Sequence, residues 1–182
     1  MKQLLLAAMV FAALWGCSPS TKAVMQKISY ETSRDEGHEG NAKILKGVIN
    51  RSILEQDTAF KWFADNMKYG TVDATAVAAF AKQKDKFSIV VFGGTWCHDT
   101  QNLLPTFYKL ADKSGYPDNK ITLIGVDRKK QTIRDLQTIF NITNVPTFIV
   151  LDNNGKEVGR VVEYGKTGAI DKELGEIVNS IQ

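Results

Sequence analysis

The sequence predicts an α/β fold in which helices flank a mixed central sheet, with a helical extension on its N-terminal side. Short β-branched and aromatic runs alternate with amphipathic helical patterns along the chain. The last two of these runs are joined by the turn sequence Asp152-Asn153-Asn154-Gly155, which is typical of a hairpin. The composition, 43% apolar and 24% charged in 182 residues, is that of an ordinary globular protein. We therefore expect parallel crossovers followed by an antiparallel hairpin.

The first part of the chain predicts a tether and then a helix. Residues 18–41 are polar, mixed in charge and without apolar periodicity, so we expect a flexible segment and a folded part that begins near Lys43. Ser52 and Glu55 have the spacing of a capping box at the start of a helix. One side of this helix carries Ile53, Phe60, Phe63, Ala64 and Met67. The aromatic residues Phe60, Trp62 and Phe63 are interpreted as core rather than as a ligand-binding stripe.

The later elements follow from their apolar periods and their turn residues. Four runs too short and too β-branched for helices predict strands over 87–92, 121–126, 147–151 and 156–162. Longer amphipathic patterns predict helices over about 73–84, 97–114, 132–140 and 168–181.

Charge, cysteine and histidine content exclude several classes of protein. The net charge of +3 comes from 23 basic and 20 acidic residues with no long run of one sign, so no nucleic-acid partner is predicted. Two cysteines are too few for a disulfide-rich scaffold. His38 and His98 lie far apart in the sequence, which is not the spacing of a zinc site, so we expect neither a metal nor another cofactor.

The N-terminus carries a targeting pattern. Lys2 precedes an apolar run over 4–14, and Leu14-Trp15-Gly16-Cys17 follows. This resembles a bacterial lipoprotein signal peptide, although Trp15 is unusually bulky. The resemblance implies that residues 1–16 are removed, that Cys17 carries lipid, and that residues 17–42 are a lipid-anchored tether. The alternatives are a plain secretory signal or a transmembrane span, but the run is about half of the roughly 20 residues a span needs.

Lipid on Cys17 has two consequences. The protein is then expected in the cell envelope, held on the periplasmic side by its lipid, and Ser18 favours the outer membrane if enteric sorting rules apply. Cys97 is left as the single thiol, so it is either buried and inert or reactive.

Cys97 lies in the most informative motif. It ends Val90-Val91-Phe92-Gly93-Gly94-Thr95-Trp96-Cys97, and Asn144-Val145-Pro146-Thr147-Phe148 follows about fifty residues later. Together these segments resemble the thioredoxin-like superfamily over roughly 73–182, most closely lipoprotein and periplasmic members with a monothiol Trp-Cys-x-Asp-Ser/Thr motif. The resemblance implies a thioredoxin fold over 43–182, with its core over 73–182.

The resemblance and the local physics give roles to seven residues. A cysteine on the first turn of a helix after a strand faces unpaired N–H groups, which favour the reactive thiolate. The resemblance implies that Pro146 is cis and brings the Val145 backbone beside Cys97, and Thr100 could donate a hydrogen bond to the sulfur. The predicted catalytic residues are Cys97, Thr100 and Pro146, and the predicted substrate-binding residues are Trp96, His98, Asp99 and Val145.

Blander interpretations of these residues stay open. Protonated His98 would favour the thiolate whereas Asp99 would oppose it, but His98 could be a solvent-facing variable residue and Asp99 a complement to the helix N-terminus. Cys97 could be an inert core residue. Arg128 ends a strand on the side of the site, and a surface ion pair is its expected role.

Two departures from dithiol relatives shape the expected function. Thr100 stands where dithiol members have the resolving cysteine, and Val91 replaces their buried acid. We expect a monothiol oxidoreductase that acts on protein or small-molecule thiols and disulfides, with an external resolving thiol or reductase. The alternative is a non-catalytic binding or chaperone-like module that uses the groove at Pro146. A peroxidase is disfavoured by Val90, and an iron–sulfur monothiol glutaredoxin is disfavoured by residues 152–155.

Overall fold

The computed structural model describes residues 25–36 and 41–182 of the chain. The predicted signal peptide, the predicted lipid site Cys17 and residues 17–24 and 37–40 of the predicted tether lie outside the described residues, and so does His38. Among the helices that the structure describes, none is long and apolar enough to cross a membrane.

A six-stranded mixed sheet forms the centre of the described part. The strands stand in the order β1-β2-β4-β3-β5-β6, and β3 and β4 are parallel whereas the other neighbours are antiparallel. The strands are β1 (Ser29–Arg34), β2 (Lys43–Ile49), β3 (Phe87–Gly93), β4 (Ile121–Gly125), β5 (Thr147–Asp152) and β6 (Glu157–Val162). The predicted mixed sheet and its closing hairpin are confirmed.

Only one of the expected crossovers is parallel. The connection after β4 stays at the edge of the sheet where β3 ends, because the Val126 N–H donates to Gly93 O (3.0 Å) and Val145 O lies 3.4 Å from Cys97 Sγ. β5 therefore starts from the edge at which β3 and β4 finish, and it runs antiparallel to β3.

The sheet begins earlier than the sequence predicts. β1 lies inside the segment expected to be a tether, and it pairs with β2 from Ser29 opposite Val48 to Arg34 opposite Lys43. The Asp35 N–H donates to Ala42 O at 2.9 Å and closes the hairpin. All six β1 residues are exposed, so the strand has no apolar alternation by which sequence could reveal it.

Helices flank the sheet as predicted, but two of them differ from their predicted bounds. The predicted helix over 132–140 is reduced to Leu136–Ile139 after a 3₁₀ turn over Ile133–Asp135, and the first predicted helix is broken. That helix is split at Asp57, whose extended backbone ends one segment and whose side chain accepts from the Ala59 N–H to start a 3₁₀ turn over Thr58–Phe60. Its N-cap is Asn50 rather than Ser52. The helices are α1 (Arg51–Gln56), α2 (Lys61–Asn66), α3 (Ala74–Gln83), α4 (His98–Ser114), α5 (Leu136–Ile139) and α6 (Ile170–Asn179).

Two apolar clusters cover the two faces of the sheet and fix the position of α4. Alternate residues of β3 enter opposite clusters: Val91 packs on one side and Phe92 on the other. Phe60 and Phe63, each 1% exposed, lie in the first cluster, which confirms that they are core residues. The N-terminus of α4 consequently lies at the end of β3, beside the connection that enters β5.

Candidate functional site

Cys97 is the N-cap residue of α4 and its side chain is half-buried. Its N–H donates to Gly94 O (2.9 Å), and its carbonyl accepts from the Gln101 N–H (3.0 Å), so the turn from β3 into α4 is closed around it. In this part of the structure no side chain caps the helix N-terminus. The first-turn N–H groups are left to interact with a negative charge at the sulfur.

The segment before β5 lies against this sulfur. The Val145–Pro146 peptide bond is cis, as the resemblance implied. The Cys97 thiol donates to Val145 O at 3.4 Å, and Val145 and Pro146 are both buried. The structure therefore brings together three of the predicted site residues, although they are separated by almost fifty positions.

Thr100 does not make the predicted contact with the sulfur. Its side chain is 1% exposed, and its hydroxyl accepts from the Gly94 N–H at 3.2 Å. Its methyl group lies so close to Gly93 that a Cβ there would come within 2.9 Å of it. Among the described residues, the Thr100 hydroxyl thus bonds within the turn between β3 and α4 and stabilises that turn.

Trp96 is seated by contacts on its edge and its face. The indole Nε1–H donates to Val126 O at 2.9 Å, and the ring covers Gly94 so closely that a Cβ there would lie 2.6 Å from it. The Arg128 guanidinium lies over the ring, 4.7 Å from its centroid. Trp96 and Cys97 both pack against the second apolar cluster. These contacts fix the position of the Trp96 side chain next to Cys97 in the sequence.

The cation over Trp96 is paired with a residue from the N-terminal hairpin. Arg128 Nε lies 2.8 Å from both carboxylate oxygens of Asp35, and Nη2 lies 2.5 Å from Oδ2. Asp35 is only 5% exposed. The hydrogen bond to Asp35 raises the pKa of Arg128, and the nearby Cys97 sulfur contributes a smaller increase. Arg128 forms an ion pair as expected, but with a buried acid rather than at the surface, and sequence reasoning missed both this partner and the contact with Trp96.

A second link connects the site loop, which is the turn over residues 94–97 between β3 and α4, to the N-terminal hairpin of β1 and β2. The buried Thr95 hydroxyl donates to Lys43 O (2.7 Å) and accepts from the Leu45 N–H (3.2 Å), both in β2. The Gln101 side chain donates to Thr95 O at 2.9 Å. No sequence signal marked Thr95, because its partners are about fifty positions away.

The structure places His98 and Asp99 at the surface of the site. His98 is exposed and Asp99 is half-buried, and neither side chain makes a hydrogen bond or an ion pair within the described part of the chain. Their assignment to substrate binding stays a prediction. Over residues 25–36 and 41–182, no group of three His, Cys, Asp or Glu side chains is placed to hold a metal ion.

The chain is similar to a known protein family and to several known proteins. A family model described as "Thioredoxin" matches residues 52–169, from α1 to the residue before α6. The chain is 27% identical to Thioredoxin H2 of Arabidopsis thaliana over 96 residues, which are 53% of this chain and 66% of that protein. It is 30% identical to a protein disulfide-isomerase of Ricinus communis over 88 residues, which are 48% of this chain and 18% of that protein.

The matches cover only part of these relatives, since the chain spans less than two thirds of the length of either. Among solved structures, a Pseudomonas aeruginosa protein of unknown function superposes with a TM-score of 0.53 at 15% identity, covering 72% of this chain and 90% of that chain. This likeness concerns the fold alone.

Proposed function

The chain belongs to the thioredoxin family, and we propose that within it the protein carries out thiol–disulfide exchange through a single cysteine, Cys97. One observation carries the proposal. A half-buried thiol stands at the N-terminus of a long helix, 3.4 Å from the carbonyl that precedes a cis proline. A partly accessible thiol at a helix N-terminus is the arrangement in which cysteine is reactive, whereas inert cysteines are fully buried in apolar surroundings.

The first step is attack on a substrate disulfide. The Cys97 thiolate attacks one sulfur of R–S–S–R′, so the bond from Cys97 Sγ to that sulfur forms while the S–S bond breaks. The electron pair of the broken bond leaves with R′S⁻, which takes up a proton. The first-turn N–H groups of α4 stabilise the attacking charge. Once the thiol has lost its proton, Val145 O is released as an acceptor for an N–H of an extended substrate.

The second step needs a thiol from outside the site. Thr100, one turn into α4, offers no sulfur to attack the mixed disulfide. An external thiolate R″S⁻ attacks the substrate sulfur, the bond to Cys97 breaks, and R–S–S–R″ leaves while the Cys97 thiolate is restored. The substrate class is therefore protein or small-molecule disulfides, with a low-molecular-weight thiol or a reductase protein as the second reactant.

The proposal is tested by turnover of a disulfide-linked fluorescent peptide with glutathione as the external thiol. The chain is expected to accelerate release of the peptide thiol, and Cys97→Ser is expected to abolish the acceleration. The matched control is Ser114→Ala, a buried residue at the far end of α4, which should keep the activity. Equal rates for the native chain and for Cys97→Ser would refute the exchange function.

A non-catalytic binding module is the second candidate. It is favoured by Thr100 and Val91, both buried, which replace the two groups that the resemblance associates with dithiol chemistry. In this case an extended peptide would bind beside Pro146, and Cys97→Ser would leave its affinity unchanged. A peptide-binding titration of the Cys97→Ser variant, run beside the turnover assay, separates the two functions.

We also propose that the protein works in the cell envelope, anchored through lipid on Cys17 on the periplasmic side. The sequence Leu14-Trp15-Gly16-Cys17 supports this location, because it follows an apolar run of the length found in signal peptides. Such a compartment also suits exchange chemistry, since disulfides persist outside the reducing cytosol.

A further inference from the structure

The Asp35–Arg128 pair is not explained by the exchange chemistry described above. Asp35 follows β1 and Arg128 follows β4, so the pair joins the N-terminal hairpin to the connection that runs beside the site. A pair whose acid is nearly buried and whose hydrogen bonds are bidentate is far better ordered than a typical surface ion pair.

The position of the guanidinium makes this pair relevant to Cys97. The Arg128 guanidinium lies over the indole of Trp96, and Val126 O accepts a hydrogen bond from the Nε1–H of the same ring. The ring therefore cannot turn about its side-chain bonds without breaking one of these contacts. Trp96 precedes Cys97, and both residues pack against the second apolar cluster, so the clamp on the ring fixes one wall of the region that holds Cys97.

Arg128 also brings a positive charge to this wall. Its side chain is 40% exposed although its carboxylate partner is buried, so the cation faces solvent while the anion does not. The guanidinium lies over the ring of the residue before Cys97, and, after its hydrogen bond to Asp35, the Cys97 sulfur also raises the pKa of Arg128.

We propose that Arg128 is a positioning residue for exchange at Cys97. Oriented by Asp35, it clamps Trp96 beside the sulfur and favours the approach of disulfides that carry negative charge near the reacting bond. This role rests on the proposed exchange function. The hairpin formed by β1 and β2 is then part of the active-site architecture, because it supplies the carboxylate that orients the cation.

The charge is tested by alkylation, which needs no turnover. In the full chain with Cys17→Ala, Cys97 is the single cysteine, and its rates with anionic iodoacetate and neutral iodoacetamide are compared at neutral pH. Arg128→Gln is expected to lower the iodoacetate-to-iodoacetamide rate ratio about two- to fivefold, a size expected for one nearby screened charge. Lys129→Gln, the same change of charge at an exposed neighbour, is expected to leave the ratio unchanged.

The clamp is tested by a spectroscopic signature of the ring. In the chain labelled with 5-fluorotryptophan, the ¹⁹F resonance of Trp96, assigned with Trp96→Phe, is expected to shift or broaden in Arg128→Gln and in Asp35→Asn. Arg128→Lys is expected to keep most of the rate ratio, because it keeps the charge, and to alter the resonance, because it loses the planar fork. The Trp62 resonance serves as a control for folding.

Two results would contradict the role of Arg128 and can be told apart. If Arg128→Gln leaves both the rate ratio and the Trp96 resonance unchanged while the native chain exchanges disulfides, Arg128 has no positioning role and the proposed function stands. If the native chain shows no exchange through Cys97, the proposed function fails, and the role of Arg128 in exchange fails with it.

Discussion

In the proposed function, residue 100 determines whether the site works with one thiol or with two. Thr100 lies three residues after Cys97 on the first turn of α4, where a second sulfur would be within reach of the first. Thr100→Cys is expected to form an intramolecular disulfide under mild oxidation and to gain dithiol reductase activity. Non-reducing mass spectrometry detects the disulfide, and a single-turnover assay of the reduced chain without glutathione detects the reductase activity, because a dithiol releases both peptide thiols whereas a single thiol releases one.

The gain is expected to be partial. Val91 is fully buried and offers no acid to help deprotonate the new cysteine. The new side chain also loses the hydroxyl that accepts from the Gly94 N–H. Adding Val91→Asp to Thr100→Cys is expected to speed resolution, and Val90→Asp, on the opposite face of β3, serves as the control. If Thr100→Cys forms no disulfide with Cys97, the geometry inferred for this turn is wrong.

At the scale of residues, the local motif predicts the site centre and misses its supports. The positions of Cys97 and Pro146 were predictable because each can be recognised from consecutive residues. Cys97 lies at a strand–turn–helix boundary, and Pro146 precedes the first strand of a hairpin. The orientation of Thr100 was not, because it depends on the close approach of Gly93 and Gly94. Arg128 could be predicted to form an ion pair but not to contact Trp96, because that contact depends on how the connection after β4 folds back.

At the scale of elements, the site loop depends on β2. Thr95→Val is expected to lower the free energy of unfolding by about 1–3 kcal/mol, because it leaves the buried Leu45 N–H and the Lys43 carbonyl without their partner. Urea denaturation measures the change. Thr106→Val is the matched control, since the Thr106 hydroxyl donates to a carbonyl of its own helix, and its cost should be far smaller. Equal costs would show that the Thr95 link is unimportant.

The loop between β6 and α6 gives a pH-dependent prediction. Glu173 accepts from the Lys166 N–H and from the N–H and hydroxyl of Thr167. Burial opposes ionisation, but these hydrogen bonds outweigh it and lower the pKa of Glu173. The carboxylate therefore stabilises the fold above the ordinary glutamate range, and this contribution is lost as pH falls through the lowered pKa.

The measurement that follows is the melting temperature between pH 7 and pH 3. Glu173→Gln is expected to lower the melting temperature at pH 7 and to reduce its fall on acidification. Glu176→Gln, an exposed position of the same helix, is expected to change neither quantity appreciably. An unchanged acid dependence in Glu173→Gln would show that the Glu173 carboxylate does not stabilise this loop.

Helices and strands were predictable where they are largely buried, because burial gives their sequence a recognisable apolar pattern. β3, β5 and α4 bury most of their residues, and their apolar patterns predict their position well. β1 escapes prediction because every residue is exposed and its stability comes from backbone pairing with β2. The break in the first helix is equally hidden, since Asp57 ends it through a local side-chain hydrogen bond inside an unbroken apolar pattern.

For the molecule as a whole, the fold and the expected location of the protein in the cell depend on different parts of the chain. If Cys17 carries lipid, Cys17→Ala expressed in a bacterial host is expected to move from the detergent phase to the aqueous phase, with unchanged near-ultraviolet circular dichroism. Ser18→Ala, next to the predicted lipid site, should leave the partitioning unchanged. A Cys17→Ala protein that still partitions into detergent would exclude lipid on Cys17 as the anchor.

The site is built from two parts of the chain, the part that the family model matches and the hairpin before it. The family match begins at residue 52 and so leaves out β1 and β2. The hairpin that these strands form nevertheless supplies Asp35, the residue after β1, to Arg128, and β2 supplies two backbone partners to Thr95. The thiol and the cis proline belong to the part that the family model matches. The supports on the other side of Trp96 are thus a feature of the additional hairpin.

The reactivity of Cys97 in the folded chain tests the exchange function most directly. In the Cys17→Ala chain, reaction with dithiodipyridine at neutral pH releases one coloured thiol for each cysteine attacked. Interaction with a helix N-terminus is worth about 0.3–2 kcal/mol, which is at most about a two- to thirtyfold effect on rate, so the native chain is expected to react faster than the same chain unfolded in urea by a factor within about this range. A native rate equal to or below that of the unfolded chain would show that the fold does not activate Cys97, and would contradict its role as the nucleophile.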